Sequence, residues 1–307
     1  MAINTITVGR QVRVKIGAST VCIARFVPKV TREQVKNADG SICGDMWHPI
    51  NRMRKGRKII GGSLFFDFTG AVFTHLIQYM GLTSLGSGVY NLAAAGNLTE
   101  VAISVDMGAT THTFTNAVIH RWAVRASKGG RPPQLQVDFV GEDETDTGGT
   151  PFTDAPLTIQ DVFSFTDITT ADFDDGAGNT VQLSMDRFLL QVDYGAVVEH
   201  NFSVTRTGMA AGAGTAILAT STPYVATRKD IYWDYRDSEG PIDATIEFTN
   251  DDTAIEFFAP AGFPITELPP VLGKSDQIRT PVTLDLCRTD NTGTRVSPLT
   301  ITIAAAP

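Results

Sequence analysis

Apolar and polar residues alternate along most of the chain, and this pattern constrains the fold more than any other feature of the sequence. In the segment Gln134–Val140, Leu135, Val137 and Phe139 alternate with polar residues. A period of two places successive side chains on opposite faces of a strand, one buried and one exposed to water. The sequence therefore predicts a mainly β chain of short antiparallel strands. The same alternation occurs in Gln11–Ile16, Glu100–Val105, Ala117–Ala126, Val181–Tyr194, Val198–Thr205, Ile231–Tyr235, Ile242–Phe248, Val282–Leu286 and Leu299–Ile303.

Two segments show the spacing of a helix instead. The first begins at Thr69, a residue type that caps helix N-termini, and reaches Gly81, a residue type that ends helices. Its apolar stripe consists of Val72, Phe73, Leu76, Ile77 and Met80. The second segment runs from about Asp251 to Phe258 and is followed by Ala-Pro-Ala-Gly, which stops a helix. We therefore expect one flanking helix in each half of the chain.

Charge is distributed unevenly along the sequence. The chain carries a net charge of −8, but its first 60 residues contain twelve Lys and Arg against Glu33, Asp39 and Asp45, a local net charge of +9. No basic residue occurs between Arg131 and Arg187, a stretch that contains twelve carboxylates. A chain with a basic beginning and an acidic body can attract copies of itself, or bind nucleic acid through the basic part alone.

Length and composition favour a division near the middle of the chain. A chain of 307 residues is long enough for one large domain or for two of about 150 residues. The segment Gly141–Thr150 is polar, acidic and glycine-rich, which favours a boundary between a first domain, 1–150, and a second domain, 151–307. The segment 28–62 is long, basic and weakly patterned, and it predicts an extended arm or loop.

The motifs of common catalytic and binding sites are incomplete in this sequence. Leu272–Ser275 ends like a phosphate-binding loop but lacks the first glycine of that motif. The five histidines form no zinc-binding pattern. Asp172–Gly176 resembles a calcium loop without its last glutamate, so a hairpin turn is the better interpretation. We expect a protein that is not an enzyme and that uses no cofactor and no metal.

The same reasoning gives an expected location. No apolar run approaches the length of a membrane-spanning helix, and the first residues lack the apolar core of a signal peptide. The three scattered cysteines argue against a disulfide framework. We therefore expect a chain that is made in the cytoplasm and does not enter a membrane.

The basic segment admits three interpretations: a solvated loop, a surface that docks on an acidic neighbour, or a DNA-binding element. Phosphate neutralisation requires clustered Lys and Arg, which are present, but base stacking also uses interleaved aromatic residues, which are absent there. The candidate interface residues are Arg52, Arg54, Lys55, Arg57 and Lys58.

The arrangement resembles the major tail tube proteins of phages, and in particular the siphophage-type family of about 300 residues. Gly61–Gly70 is similar to the strand that leads into the helix of that family. His112–Ile119 and Gln134–Gly141 are similar to its strand pair, and Val181–Tyr194 to its long middle strand. The passage Asp243–Asp252 and the closing segment Pro281–Arg288 also fit. The basic segment is where the chain departs most from the family pattern.

The resemblance implies two tandem antiparallel β-sandwich domains, each flanked by a helix, in a ring with a wide inner β-barrel. It implies a homotrimeric pseudo-hexameric ring, or alternatively a homohexamer, stacked into the tube of a virion tail. The resemblance also implies that DNA passes through without specific binding, and that the further partners are tape measure, tail terminator and baseplate or tail-tip proteins. Candidates for an acidic lumen or interface are Glu142, Asp143, Glu144, Asp146, Asp172, Asp174 and Asp175.

Two other classes of function remain open from the sequence. An acidic, threonine-rich β chain also suits another virion or surface protein, such as a decoration, fibre or adhesin module. A β-sandwich can also be an enzyme or a carbohydrate-binding module. Carbohydrate binders usually expose an aromatic platform, whereas Trp47, Trp122 and Trp233 are dispersed in this sequence.

Overall fold

The structure is a computed structural model in which most of the chain is described. The described residues are 13–36, 53–92, 98–106, 110–129, 131–148, 152, 157, 161–174, 180–182, 185–199, 208–210, 212–223, 240–264, 279–291 and 294–305. Within them the chain is mainly β, as the alternation predicts, and contains one α-helix.

The strands of the first half are β1 (Arg13–Ile16), β2 (Ser19–Cys22), β3 (Arg25–Lys36), β4 (Met53–Asp67), β5 (Leu82–Gly86), β6 (Val89–Leu92), β7 (Glu100–Asp106), β8 (Thr110–Ser127), β9 (Gln134–Gly141) and β10 (Asp143–Gly148). The helix, α1 (Gly70–Ile77), lies between β4 and β5. The strands of the second half are β11 (Ile168–Asp174), β12 (Thr180–Gln182), β13 (Arg187–Asp193), β14 (Val197–Glu199), β15 (Gly208–Ala210), β16 (Thr215–Pro223), β17 (Ile242–Thr249), β18 (Thr253–Pro264), β19 (Arg279–Leu286), β20 (Thr289–Asn291), β21 (Thr294–Val296) and β22 (Thr300–Ala305).

Antiparallel pairing joins most strands into one branched sheet with two long arms. The first arm follows the order β3–β4–β9–β8–β13–β16–β19. The second arm follows the order β12–β11–β17–β18–β22–β6–β5. Strand β18 connects the arms because its first residues pair with β22 and its last residues pair with β19. The beginning of β8 pairs with β10 on one side and with β7 on the other. The sheet continues there from β7 to β1 and from β1 to β2.

The apolar faces of the two arms pack against each other around aromatic side chains. Phe188 of the first arm contacts Phe248 and Phe257 of the second, with ring centroids 5.5 and 6.3 Å apart. Phe73 of the helix lies 6.4 Å from Trp122 and 5.8 Å from Phe257 between ring centroids. All five rings are almost completely buried. Residues from both halves of the sequence therefore share one hydrophobic core.

Helix α1 forms where the sequence predicts it, although it is shorter than the apolar stripe. The Thr69 side chain accepts a hydrogen bond from the backbone N–H of Val72 at 3.2 Å, which caps the N-terminus. Phe73, Leu76 and Ile77 face the core. The chain then leaves the helix in turns, and Gly81 has a φ of +68°, a conformation that favours glycine.

The predicted helix over Asp251–Phe258 is wrong, because this segment belongs to strand β18. Thr253, Ile255, Phe257 and Ala259 are buried, while the residues between them are half-buried, which is a period of two. Asn250 does not cap a helix; its side-chain oxygen accepts hydrogen bonds from the N–H groups of Asp252 and Thr253 at 3.1 and 2.9 Å. These bonds close the turn between β17 and β18.

Strands also form in two segments whose sequences predict an extended arm or loop and a boundary between domains. The basic segment 28–62 covers most of β3 and the first part of β4. These two strands form a long antiparallel hairpin. The acidic segment Gly141–Thr150 contains β10, which pairs with β8 from Asp143↔Thr115 to Gly148↔Thr110. Threonine at alternate positions of both strands suits this pairing better than a solvated linker.

Tyr194 fixes the end of β13 against the end of the helical region. Its hydroxyl lies 2.8 and 2.7 Å from the carbonyl oxygens of Met80 and Gly81 and donates to them. Burial raises the pKa of this hydroxyl well above its usual range, so it remains a donor.

We expect Phe248→Ala to lower the free energy of unfolding by about 3–5 kcal/mol, because it leaves a cavity among buried rings. Phe248 lies within ring contact of Phe68, Phe163, Phe188 and Phe257. Denaturant unfolding followed by tryptophan fluorescence measures the change. Leu85→Ala is the control, since Leu85 is 62% exposed. Equal losses in the two variants would contradict the central position of Phe248.

Candidate functional site, an acidic sheet face and a basic hairpin

One outer surface of the second arm is acidic. In β11, β17 and β18 the residues that point into the core alternate with residues that point away from it. The carboxylates that point away define what we call the acidic face: Asp172, Asp174, Asp243, Glu247 and Glu256. By sequence, none of the seven strands of this arm contains Lys, Arg or His. The negative charge of the arm therefore has no cation on its own strands.

Carboxylates of the acidic face lie directly opposite one another on neighbouring strands. Glu247 pairs in register with Glu256, and Asp174 pairs with Asp243. Like charges at directly opposite positions of a sheet destabilise it. Burial, and next the negative charge of Asp174, raise the pKa of Asp243. The fold therefore tolerates an electrostatic cost on this surface.

Neutral hydroxyl groups are the hydrogen-bond donors to the glutamates of the acidic face. Thr170 donates to Glu247 at 3.0 Å, and Thr169 lies 3.3 Å from the same oxygen. Thr302 lies 3.5 Å from Glu256. These hydroxyls hold the carboxylates in place without neutralising their charge.

The other predicted acidic segment has a different environment, because Lys58 and His112 of neighbouring strands reach it. The Lys58 ammonium lies 3.7 Å from a carboxylate oxygen of Asp143 and 3.8 Å from one of Glu144. The ring nitrogens of His112 lie 3.2 Å from Glu144 and 4.0 Å from Asp146. Glu142 accepts a hydrogen bond from the Asn116 side chain. This segment is therefore partly neutralised within the chain.

The hairpin of β3 and β4 combines basic sequence with exposed apolar side chains. Val27, Val30 and Ile59 are 43%, 41% and 38% exposed. The outer edge of β3 makes no backbone pairing with any described strand other than β4. The Arg25 guanidinium stacks over the Phe65 ring at 3.9 Å from its centroid. The hairpin thus presents an unpaired edge and apolar side chains beside basic residues.

Most of the residues that the sequence predicts for an interface or an acidic lumen lie within the described part of the chain. Lys58 lies at the root of the hairpin, and its ion pairs join the hairpin to β10. Arg54, Lys55 and Arg57 belong to β4. Arg52 and Asp175 lie outside the described residues. The residues Glu142 to Asp146 and the pair Asp172 and Asp174 lie on separate strands, β9–β10 and β11, in different arms of the sheet.

Sequence reasoning missed three of the five carboxylates of the acidic face. Asp243 and Glu247 alternate with buried residues in a segment that was predicted as a strand, but nothing local shows that this strand lies beside Asp172 and Asp174. Glu256 was missed because it fell within the predicted second helix. The period of two in 253–259 was the signal that could have placed it.

Two further features bear on what the chain can bind. An open groove of about 600 Å³ is lined by Asp161, Val162, Ser164, Asp167, Thr249, Asn250 and Asp251. Asp167 accepts the backbone N–H of Ser164, and Asp252 beside the groove accepts that of Asp161, so both carboxylates cap backbone groups. Across the described ranges, no group of three or more His, Cys, Asp or Glu side chains could hold a metal ion. In the same part of the chain, no helix is long and apolar enough to cross a membrane.

No protein-family model matches this chain, and a search of the curated proteins finds no significant match.

We expect Asp243→Asn to raise the free energy of unfolding at neutral pH, because the asparagine has no charge to place beside Asp174. The raised pKa of Asp243 means that the folded protein keeps a proton that the unfolded chain has lost, so stability falls as the pH rises through this interval. The advantage of the variant should therefore shrink as the pH falls towards about 4, the ordinary pKa of aspartate. Denaturant unfolding at several pH values measures it.

The control is Asp251→Asn, which removes an exposed charge in the turn between β17 and β18. We expect this variant to change stability little, since isolated surface substitutions usually have small effects. An Asp243→Asn variant that is no more stable than the wild type at pH 7 would contradict repulsion on the acidic face.

Proposed function

We propose that the chain is a structural virion protein that assembles with copies of itself into stacked rings, which form the tube of a phage tail. The observation that carries this proposal is the separation of charge between a basic hairpin and an acidic face whose own strands contain no Lys, Arg or His. Surfaces of opposite sign on one molecule allow each copy to bind the next and set the orientation of the contact.

The hairpin supports this proposal because a single copy leaves apolar side chains of the hairpin exposed to water. A two-stranded ribbon has little stability by itself and gains it by packing on another surface. Val27, Val30 and Ile59 remain exposed at its root, and among the described strands only β4 pairs with β3. A neighbouring copy can bury these apolar groups and compensate the charge of the basic residues. The intrachain contacts of Lys58 with Asp143 and Glu144 illustrate the pairing chemistry that such a contact uses.

The acidic surfaces support passage of DNA without adhesion. Proteins that hold DNA do so by neutralising its phosphates with Lys and Arg. A channel whose wall presents carboxylates and hydroxyls offers no such contact, so the DNA can move through it. Asp172 and Asp174, together with Glu142, Asp143, Glu144 and Asp146, are the predicted residues for a lumen or an interface.

The proposed ring follows from closure of β-sheets around a channel. A closed barrel needs more than about 20 strands to leave a wide lumen, and several copies are required to supply them. Three copies with two tube-like units each, or six copies with one, satisfy this need. Rings with different upper and lower surfaces stack head to tail into a filament. Tape measure, terminator and baseplate or tail-tip proteins would then set the length of the tube and its ends.

Electron microscopy of the purified protein tests the proposal. We expect stacked rings or tubes with an open central channel. Native mass spectrometry of one isolated ring then distinguishes three copies from six. A protein that remains a monomer, or forms a compact oligomer that does not stack, would refute the proposed tube.

We expect the triple variant Arg54→Glu, Lys55→Glu, Arg57→Glu to abolish stacking without unfolding the subunit, because it replaces three positive charges of the hairpin with negative ones. Lys58 is left unchanged because it forms ion pairs within the chain. The matched control is Arg125→Glu, Lys128→Glu, Arg131→Glu, which makes the same charge change at exposed positions at the end of β8 and in the residues between β8 and β9. Sedimentation and microscopy measure assembly, and circular dichroism measures folding. Normal tubes from the hairpin variant would remove the hairpin from the assembly contact.

A further inference from the structure

We propose that strand β5 is a self-association edge, to which a second copy of this chain adds its own strand β12. The inference rests on the proposed self-assembly for the identity of the partner, but the contact is separate from that of the basic hairpin. Backbone groups and uncharged side chains make it, so it does not depend on attraction between opposite charges.

The hairpin of β5 and β6 lies in the longest uncharged stretch of the sequence. No Asp, Glu, Lys or Arg occurs from Phe68 to Thr99, in a chain that is 19% charged. The core-facing part of the helix accounts for some of this stretch. The hairpin is different, because every residue from Thr83 to Ser87 is exposed. A surface that stays in water is normally rich in charge, and depletion of charged residues is typical of the core of an interface.

Strand β5 lacks the usual protection of a free sheet edge. Among the described strands it pairs only with β6. Proteins block such edges with lysine, proline or other charged residues, because an open edge accepts a strand from another chain. Strand β3, which pairs only with β4 among the described strands, carries these residue types at Arg25, Pro28 and Lys29. Strand β5 contains no charged residue and no proline.

Leu85 adds an apolar contact point to β5. It is 62% exposed, more than any other large hydrophobic residue in the described part of the chain. The pairing of β5 with β6 shifts register between Ser84 and Gly86, so Leu85 is skipped by the ladder. Such a bulge can turn an edge away from other strands, but here it leaves a leucine in water. A strand from another copy can cover this side chain.

Contacts at both ends hold the hairpin in one orientation. At its base, the Tyr194 hydroxyl donates to the carbonyl oxygens of Met80 and Gly81. At its tip, the Ile303 N–H donates to the Gly88 carbonyl oxygen at 2.9 Å. A Cβ atom at Gly88 would collide with the backbone of Ile303, so the approach is close. An edge that is already ordered loses little conformational freedom when a strand is added to it.

The chain itself supplies the complementary edge. Strand β12 lies at the other end of the second arm, pairs only with β11 among the described strands, and is also uncharged. Six antiparallel steps separate β12 from β5, so the two strands run in the same direction. Rotation about an axis along the strands therefore brings β5 of one copy beside β12 of the next as a parallel pair. The contact leaves one edge free at each end and can repeat from copy to copy.

The first test uses the full chain in 1 M sodium chloride, which shortens the screening length to about 3 Å and suppresses contacts between opposite charges. We expect oligomers of the wild type to survive in this salt. The variant Thr83→Lys, Leu85→Lys places two charges on β5 and should lose them. The matched control is Val162→Lys, Thr166→Lys, which makes the same change at two exposed residues outside β5 and β12. Sedimentation velocity measures assembly, and circular dichroism measures folding.

The second test measures amide hydrogen exchange on the wild type, so it does not depend on a variant that folds. The N–H groups of β5 that do not pair with β6 should exchange fast in subunits separated by dilution. In the oligomer we expect this fast exchange to be lost in both β5 and β12. Oligomers in which β5 still exchanges fast would overturn the inference. Protection of β5 without protection of β12 would overturn the assignment of β12 as the added strand.

The outcomes separate this inference from the proposed tube. Salt-resistant oligomers that depend on β5 but never stack would support the inference and refute the tube. Tubes that dissociate into monomers in 1 M salt, or that form equally well from the Thr83→Lys, Leu85→Lys variant, would overturn the inference and leave the tube standing. A wild type that is monomeric at every salt and protein concentration would overturn both.

Discussion

The packing of two apolar sheet faces around buried aromatic rings is the interaction on which the rest of the structure depends. Phe248 and Phe257 of the second arm meet Phe188 of the first, and Phe73 brings helix α1 into the same contact. Buried and outward residues alternate along β17 and over Thr253–Ala259 of β18, so once one face of these strands packs on this core, every second residue must point away from it. The outer surfaces are therefore fixed by the core, although they contribute little to its stability.

This coupling explains how a charge pattern in the sequence becomes a surface. The carboxylates of β11, β17 and β18 are distant from one another along the chain, and strand register places them together. A shift of one residue in register would turn the carboxylates inward and the phenylalanines outward. Burial of Phe173, Phe248 and Phe257 excludes that shift. The same aromatic residues that stabilise the core thus determine the composition of the acidic face.

Local patterns were enough to predict the β character of the chain, several strands and helix α1. They failed at 251–258, where Asn250 and Asp251 resemble a helix cap but Asn250 closes a turn between strands. The decisive information there was the alternation of Ile255 and Phe257 with less buried residues, combined with pairing to β17 and β22. The acidic face was only partly predictable, because Asp172 and Asp243 become neighbours through pairing between distant strands. In both cases the outcome depended on pairing between distant parts of the chain, and local propensity does not contain that information.

The root of the basic hairpin is held more firmly than its exposed surface suggests. Gly61 and Gly62 lie where β4 leaves its pairing with β9, and a Cβ atom at either position would collide with the backbone of Phe139 or the ring of Phe26. Lys58 adds ion pairs to β10 just before this point. A close backbone approach and a charge contact together fix the direction in which the hairpin leaves the sheet. Because an element that is already oriented loses less conformational freedom on binding, a fixed root favours docking of the hairpin on a neighbour.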